Sequence, residues 1–549
     1  MIVNSYLLTL SALILGASYL FRRLQRKQRR MGQELPMADL KQASWIWGHE
    51  FKIFQHEACE MYIEWAASLG PMYRVKAALF QPEIIIVGDN SAARHILQNC
   101  YTSYVKAPAF QGLLRSHLGN GLATVEGEEH KYQRRLLAPA FTSGAVEAMA
   151  DDIFSCVDKM TQNLRSALID TGETNDTGVV DMVPIMSACT LDIIGRVGFG
   201  HDFECGKSTE AKAIISAWHQ DVVKLQTFAG FMAPILINVF PWITRLPIPA
   251  FQDGIIKRIV YRLAGKLVSA NSNNMNASGN DILSLLLKSD QNTEDKSEPR
   301  FTTTELLDNV LNYHSLVCQT EFTTYYSSRT MYRLAGHETS AITVDFILLN
   351  LAQNPKIQRK LQQEIRTIPS LDYNSIVGLE YLEAVVKEGL RLHPVEGLTE
   401  RMALQDDVIP LKHAIHTESG EIVSSFAVKA GQVLRVPWFV LNINKQVWGN
   451  NASEFIPERW IEPGGVPPLD ELPHGPWGEY LHFVPDGPRS CIGYRLAVLE
   501  LKIIIAVLVR SFEFECTEVK IVQRLSPSLQ PFADGKAGSM PLKVSLAEL

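Results

Sequence analysis

The chain has 549 residues, 46% hydrophobic and 20% charged, which is enough apolar material for a large buried core and too much for a disordered chain. With 52 Lys and Arg against 59 Asp and Glu, the net charge of −7 is mild for this size and points to no nucleic-acid partner. Eight cysteines without metal-ligand spacing fit a reducing compartment better than a disulfide framework.

At the amino terminus, Ile2 to Phe21 form an almost uninterrupted apolar stretch, followed by Arg22, Arg23, Arg26, Lys27, Arg29 and Arg30. Roughly 20 apolar residues span a bilayer as a helix, and basic residues stay on the cytosolic side. A single-pass transmembrane anchor is therefore expected over 1–21, with a basic linker over 22–44. A cleaved signal peptide is the other reading, but it would carry its basic residues before the apolar run. Further on, Ile84 to Val87 read as a strand, Gly88 ends it, and a helix is expected from about Ser91. From Ser143 onward helical periodicity dominates. Phe228 to Phe251 form a second apolar patch, broken by prolines and carrying Arg245, which is expected as a membrane-dipping lid rather than a second span. A short amphipathic helix, Asp281 to Lys288, lies between polar low-complexity segments, and Thr302 with Glu305 makes a capping box that opens another helix. The stretch Tyr313 to Arg333 is rich in Thr, Ser and Tyr and breaks abruptly in composition from both flanks.

Four motifs follow in order. They are A-G-H-E-T at Ala335 to Thr339, E-G-L-R at Glu388 to Arg391, F-I-P-E-R-W at Phe455 to Trp460, and G-P-R-S-C-I-G at Gly487 to Gly493. The last one narrows the chemistry most. Gly487 and Gly493 let the backbone approach a flat ring, Arg489 can meet an anionic group at its edge, and Cys491 can ligate iron as a thiolate.

Together the four motifs resemble those of cytochrome P450, the haem-thiolate monooxygenase family, and the resemblance covers nearly the whole chain. It is closest to basidiomycete members in W-I-W-G-H-E at Trp45 to Glu50 and around the cysteine, which suggests secondary metabolism or detoxification. The resemblance implies a mainly α fold with a small β-rich lobe, with haem b between a long central helix and the cysteine loop. It implies one catalytic domain over 45–549, and the apolar run with its basic flank places that domain on the cytosolic side of the endoplasmic reticulum. One departure lies in the socket. Seven positions before the cysteine, where the family carries an aromatic residue, stands Val484, with Phe483 beside it, so a one-residue bulge is expected there.

The resemblance also assigns roles. Cys491 is the axial ligand to iron, and Arg134, Arg401 and Arg489 are the cations that meet the two haem propionates. His130 stands where relatives often have a tryptophan and can donate to a propionate as well. Glu338 and Thr339 form an acid and alcohol pair for relayed proton delivery, next to Gly336. Glu388, Arg391 and Arg459 form a buried charge triad that supports the pocket. Substrate contacts are expected from Ala107 to Leu118, from Val395 to Leu398 and from the apolar lid, so the guest is expected to be a lipophilic small molecule. No flavin or dinucleotide domain follows the socket, so electrons are expected from an NADPH-cytochrome P450 reductase, with cytochrome b5 as a second donor, through a basic face near Arg489 and Arg495. In relatives the helix capped at Thr302 runs almost directly into A-G-x-E-T, so Tyr313 to Arg333 is an insertion, read either as a retained intron translated in frame or as a genuine loop. Two other functions stay open: a haem-thiolate isomerase or dehydratase that needs no reductase, and a catalytically inactive, membrane-tethered haem protein spoiled by the insertion over 313–333.

Overall fold

The structure is a computed structural model and describes residues 35–106, 121–170, 177–240, 281, 282, 285, 335–468, 472–477, 487–525 and 528–547. The strands β1 (Met72–Val75) and β2 (Ile84–Val87) form an antiparallel pair, with Met72 opposite Val87. β2 is the sequence Ile-Ile-Ile-Val and is buried at every position, as befits a β-branched run covered on both faces. With β3 (Tyr104–Val105), β5 (Leu398–Ala403) and β8 (Val433–Pro437) these strands make a five-stranded sheet in the order β1-β2-β8-β5-β3. β6 (Asp407–His416) and β7 (Ile422–Val428) form a separate hairpin. Strand β4 (Thr177–Asp181) pairs with β13 (Pro541–Leu546), which in turn pairs with β9 (Phe512–Cys516). The last sheet is β10 (Ile521–Leu525), β11 (Leu529–Ala533) and β12 (Lys536–Ala537). Apart from these sheets the described chain is mainly α, in agreement with the expected architecture.

The helices that position the site are α1 (Gly127–Leu137), α2 (Met182–Phe199), α3 (Phe228–Val239), α4 (Ala335–Gln353), α5 (Glu380–Leu392) and α6 (Tyr494–Ser511). Helix α4 buries Ile342, Val344, Phe346, Ile347, Leu348 and Leu351, so its apolar surface runs all round, the pattern of a helix enclosed by protein. Its neighbours approach through small residues. A Cβ added at Gly336 would lie 2.8 Å from Ile194 of α2, and one added at Gly389 would lie 2.3 Å from Ile347. The glycine of E-G-L-R therefore marks where α5 touches α4. Tyr494–Ser511 packs beside both, with Leu501, Ile503, Ile504, Ile505 and Leu508 in the same core.

The segment Trp45 to Glu50 finds its packing partner in α3. Trp47 meets the ring of Phe231 at 5.5 Å, and Phe54 meets it at 5.0 Å. The first half of the apolar patch is thus a helix with Phe231 and Ile235 buried against the body, while 241–251 lie outside the described residues. So do the insertion over 313–333, the capping box at Thr302, the loop 107–118 and the pair Phe483 and Val484.

The expectation of a single-pass membrane protein of the endoplasmic reticulum is corrected. Among the described residues no helix is long and apolar enough to cross a membrane. The stretch Ile2 to Phe21, on whose hydropathy that expectation rested, lies outside the described residues.

Candidate active site

A short 3-10 turn, Gly487–Arg489, leads into Cys491, and Gly493 caps the start of α6. Gly487 has φ +55°, where glycine is favoured, and a Cβ there would crowd the carbonyl of Leu97 at 3.3 Å. Cys491 is buried, and burial pushes its thiol up to about 12, while the amide of Gly493 and the charge of Arg134 pull the other way. Metal ligation takes the thiolate form, so a bound cation would work against that upward push and favour loss of the proton. Arg134, on α1, donates through Nη1 to the carbonyl of Ser490 at 2.7 Å and so fixes the residue before the cysteine.

A set of cations surrounds one carboxylate close by. Burial works to raise the carboxyl of Glu126, but Lys106, Arg489 and Arg401 outweigh it and hold the group below its ordinary range. Arg489 pairs with Glu126 directly and donates to the carbonyl of Tyr101 at 3.1 Å. Lys106 is only 1% exposed and donates to the carbonyl of Ala123 at 2.7 Å. Arg401 is equally buried, with Nη1 on the carbonyl of Glu400 at 2.7 Å. His130 sits among these charges, and burial first, then Lys106, Arg134 and Arg489, push its pKa down to about 3. Its Nε2 is buried with no hydrogen-bond partner among the described residues. Such a collection of buried donors calls for anionic acceptors.

On α4, Glu338 is buried and Thr339 beside it is half-buried. Glu338 accepts at Oε1 from Gln530 Nε2 at 3.0 Å, and its Oε2 lies 4.0 Å from His337 Nδ1. His337 in turn pairs through Nε2 with Ser187 Oγ at 2.7 Å.

The profile of the cytochrome P450 family matches residues 39–315 and 330–533. The chain belongs to the cytochrome P450 family. Similar proteins include two cytochrome P450 monooxygenases of Ampulloclitocybe clavipes, claP and claQ, at 31% and 32% identity, each match covering 89% of this chain and 88% of the relative. Cytochrome P450 monooxygenase 205 of Postia placenta is 30% identical over 86% of this chain and 84% of its own length. This P450 is accordingly a monooxygenase of the haem-thiolate type. The residues fit the group: a buried sulfur for the iron, and for two propionates a buried cation set with an unpartnered His130 Nε2.

The triad of this P450 is assembled. Arg391 reaches Glu388 with Nε at 2.8 Å and Nη2 at 2.7 Å, and Arg459 Nε reaches Glu388 Oε1 at 3.0 Å. Trp460 Nε1 adds a fourth side-chain donor bond at 2.9 Å, a role not expected for the last residue of F-I-P-E-R-W. Lys106, Glu126 and Gln530 were missed as well, since none belongs to a motif whose spacing identifies it, and His337 lies inside A-G-H-E-T but was given no role. Of the expected substrate contacts, Val395 and Leu398 are buried, and the carbonyl of Val395 accepts from Leu529 of β11 at 2.8 Å.

One further group comes together away from this site. His95 Nε2 lies 2.8 Å from Asp407 Oδ2, while its Nδ1 lies 4.0 Å from Cys100 Sγ. The imidazole stands between carboxylate and sulfur and turns a different ring nitrogen toward each. Tyr104 donates to the same Asp407 oxygen at 2.7 Å, which ties the trio to the backbone that meets Arg489.

Proposed function

We propose that this P450 inserts one atom of dioxygen into a lipophilic small molecule, with electrons delivered by an NADPH-dependent diflavin reductase. The observation that carries the reading is a buried cysteine at a glycine-bounded turn, beside buried cations gathered around a single carboxylate. In this reading Cys491 holds the iron through its sulfur, with Gly487 and Gly493 shaping the backbone around it. Arg134, Arg401, Arg489, His130 and Lys106 receive the propionates. The haem supplies dioxygen activation, with the thiolate donating electron density toward the oxygen.

The protein's own part is to hold the cofactor, exclude water and move protons. Thr339 offers a hydroxyl and Glu338 a carboxyl as neighbours on one helix, an arrangement suited to relayed proton transfer. This pair argues against the isomerase or dehydratase alternative, which needs no proton delivery to bound oxygen. Glu388, Arg391 and Arg459 act as structural support for the pocket. The apolar character of Val395 and Leu398 supports a hydrophobic guest. The break in the family match between 315 and 330 supports reading Tyr313 to Arg333 as an insertion.

The test is reconstitution of the haem-loaded protein with reductase, NADPH and isotopically labelled dioxygen against a panel of lipophilic compounds. The reading expects reductase-dependent product that carries one labelled oxygen. Product formed equally well without reductase would replace it with the isomerase or dehydratase reading.

A further inference from the structure

Glu338 does not stand alone on its helix. Gln530, on β11, is 1% exposed, and its Nε2 donates to Glu338 Oε1 at 3.0 Å and to Ser528 Oγ at 2.9 Å. The strand that carries it is anchored by the bond from Leu529 N to the carbonyl of Val395 and by the pairing of Leu529 with Leu525 across the hairpin. A buried amide donating to a carboxyl group from a pinned strand holds that group in one rotamer. It also distinguishes the two oxygens. The oxygen that accepts from an N–H favours the carbonyl role, so when Glu338 carries a proton its place is Oε2, the oxygen near His337.

We propose that Gln530 is a positioning residue that fixes the carboxyl of Glu338 for proton transfer and thereby sets how reduced oxygen divides between water and peroxide. The inference rests on the reading of Glu338 as a proton donor. Gln530 itself gains and loses nothing: Glu338 passes its O–H proton to the Thr339 hydroxyl, which passes its own on to dioxygen reduced by electrons from the reductase, and Glu338 regains a proton from solvent, with no electron passing through either residue.

The experiment uses the full-length, haem-loaded enzyme in four forms: wild type, Gln530→Leu, Glu338→Gln and the double variant. With reductase and NADPH but no added substrate, the ratio of peroxide to water formed is measured. Gln530→Leu is expected to raise that ratio on the order of fivefold, and the double variant to match Glu338→Gln alone, because residues acting through one group are not additive. A second readout needs no turnover. The infrared carboxyl band that Glu338→Gln abolishes is expected to move to higher frequency in Gln530→Leu, since its carbonyl has lost a donor. Should Gln530→Leu fail to load haem, Ser528→Ala loosens the same amide more gently and is expected to shift both readouts in the same directions. If Glu338→Gln changes the ratio while Gln530→Leu and Ser528→Ala leave ratio and band untouched, the positioning role is wrong and the reading of Glu338 survives. If Glu338→Gln changes nothing, the proton-donor reading fails and takes this inference with it. Independent, multiplying effects in the double variant would also overturn the proposal.

Discussion

Replacing Arg391 with alanine removes five hydrogen bonds at once. Two go to Glu388, and the others go to the carbonyls of Asn442, Ala452 and Glu454, at distances from 2.6 to 3.1 Å. The side chain is 1% exposed and Glu388 is fully buried, so water cannot replace what is lost. Breaking a buried ion pair from one side costs about 3–5 kcal/mol. Two structural details set where in that range the change falls. Glu388 keeps Arg459, Trp460 Nε1 and the amide of Ile456, which limits its exposure as a bare charge. Three carbonyls lose a donor, and each orphaned acceptor adds about 1–3 kcal/mol before relaxation. A net loss of about 4 kcal/mol is expected, against a total of about 5–15 kcal/mol for a domain. The assay is the urea midpoint together with haem bound per polypeptide. Both should fall markedly in Arg391→Ala, and Arg391→Lys should lie between, because lysine keeps the charge without the planar fork. Wild-type midpoint and haem content in Arg391→Ala would refute the reasoning.

Two more outcomes follow from groups on or beside α4. Burial pushes the Glu500 carboxyl up to about 8, opposed by the hydrogen bond from Ser340 at 2.8 Å, so the folded protein holds a proton there that the unfolded chain releases. That contribution to stability is complete below the ordinary glutamate range and is lost as pH rises toward 8, so Glu500→Gln should gain over wild type between pH 5 and pH 8, by about 3 kcal/mol at pH 7 in denaturation experiments. Equal pH dependence in the two proteins would contradict this. Thr339→Ala should keep its haem but release more peroxide per NADPH than wild type, and an unchanged ratio would remove Thr339 from the proton relay.

How much was legible depended on whether a residue's partners were local. The turn around Cys491 is a short run whose glycines bracket the ligand, so sequence alone identified it, and the bidentate Glu388 and Arg391 pair lies one helical turn apart. The triad's third member, Arg459, was legible because its loop carries a motif of its own. Gln530 was not, since it reaches Glu338 from 192 positions away and nothing in the strand's alternation distinguishes it. Lys106 and Glu126 were hidden for the same reason: an ion cluster built from separate segments has no periodicity. Arg489 was expected to face an anion at the ring edge, and the structure adds that Glu126 already engages it. The membrane anchor was argued from hydropathy at the amino terminus, and no described helix supports it.

The account turns on the sulfur of Cys491, and the reduced, carbon-monoxide-bound absorption spectrum tests it most directly. Haem-loaded wild-type protein is predicted to show the long-wavelength band that gave the family its name, and Cys491→Ser to lose it. A serine variant that keeps the band, or a haem-loaded wild type that lacks it, would contradict the assignment.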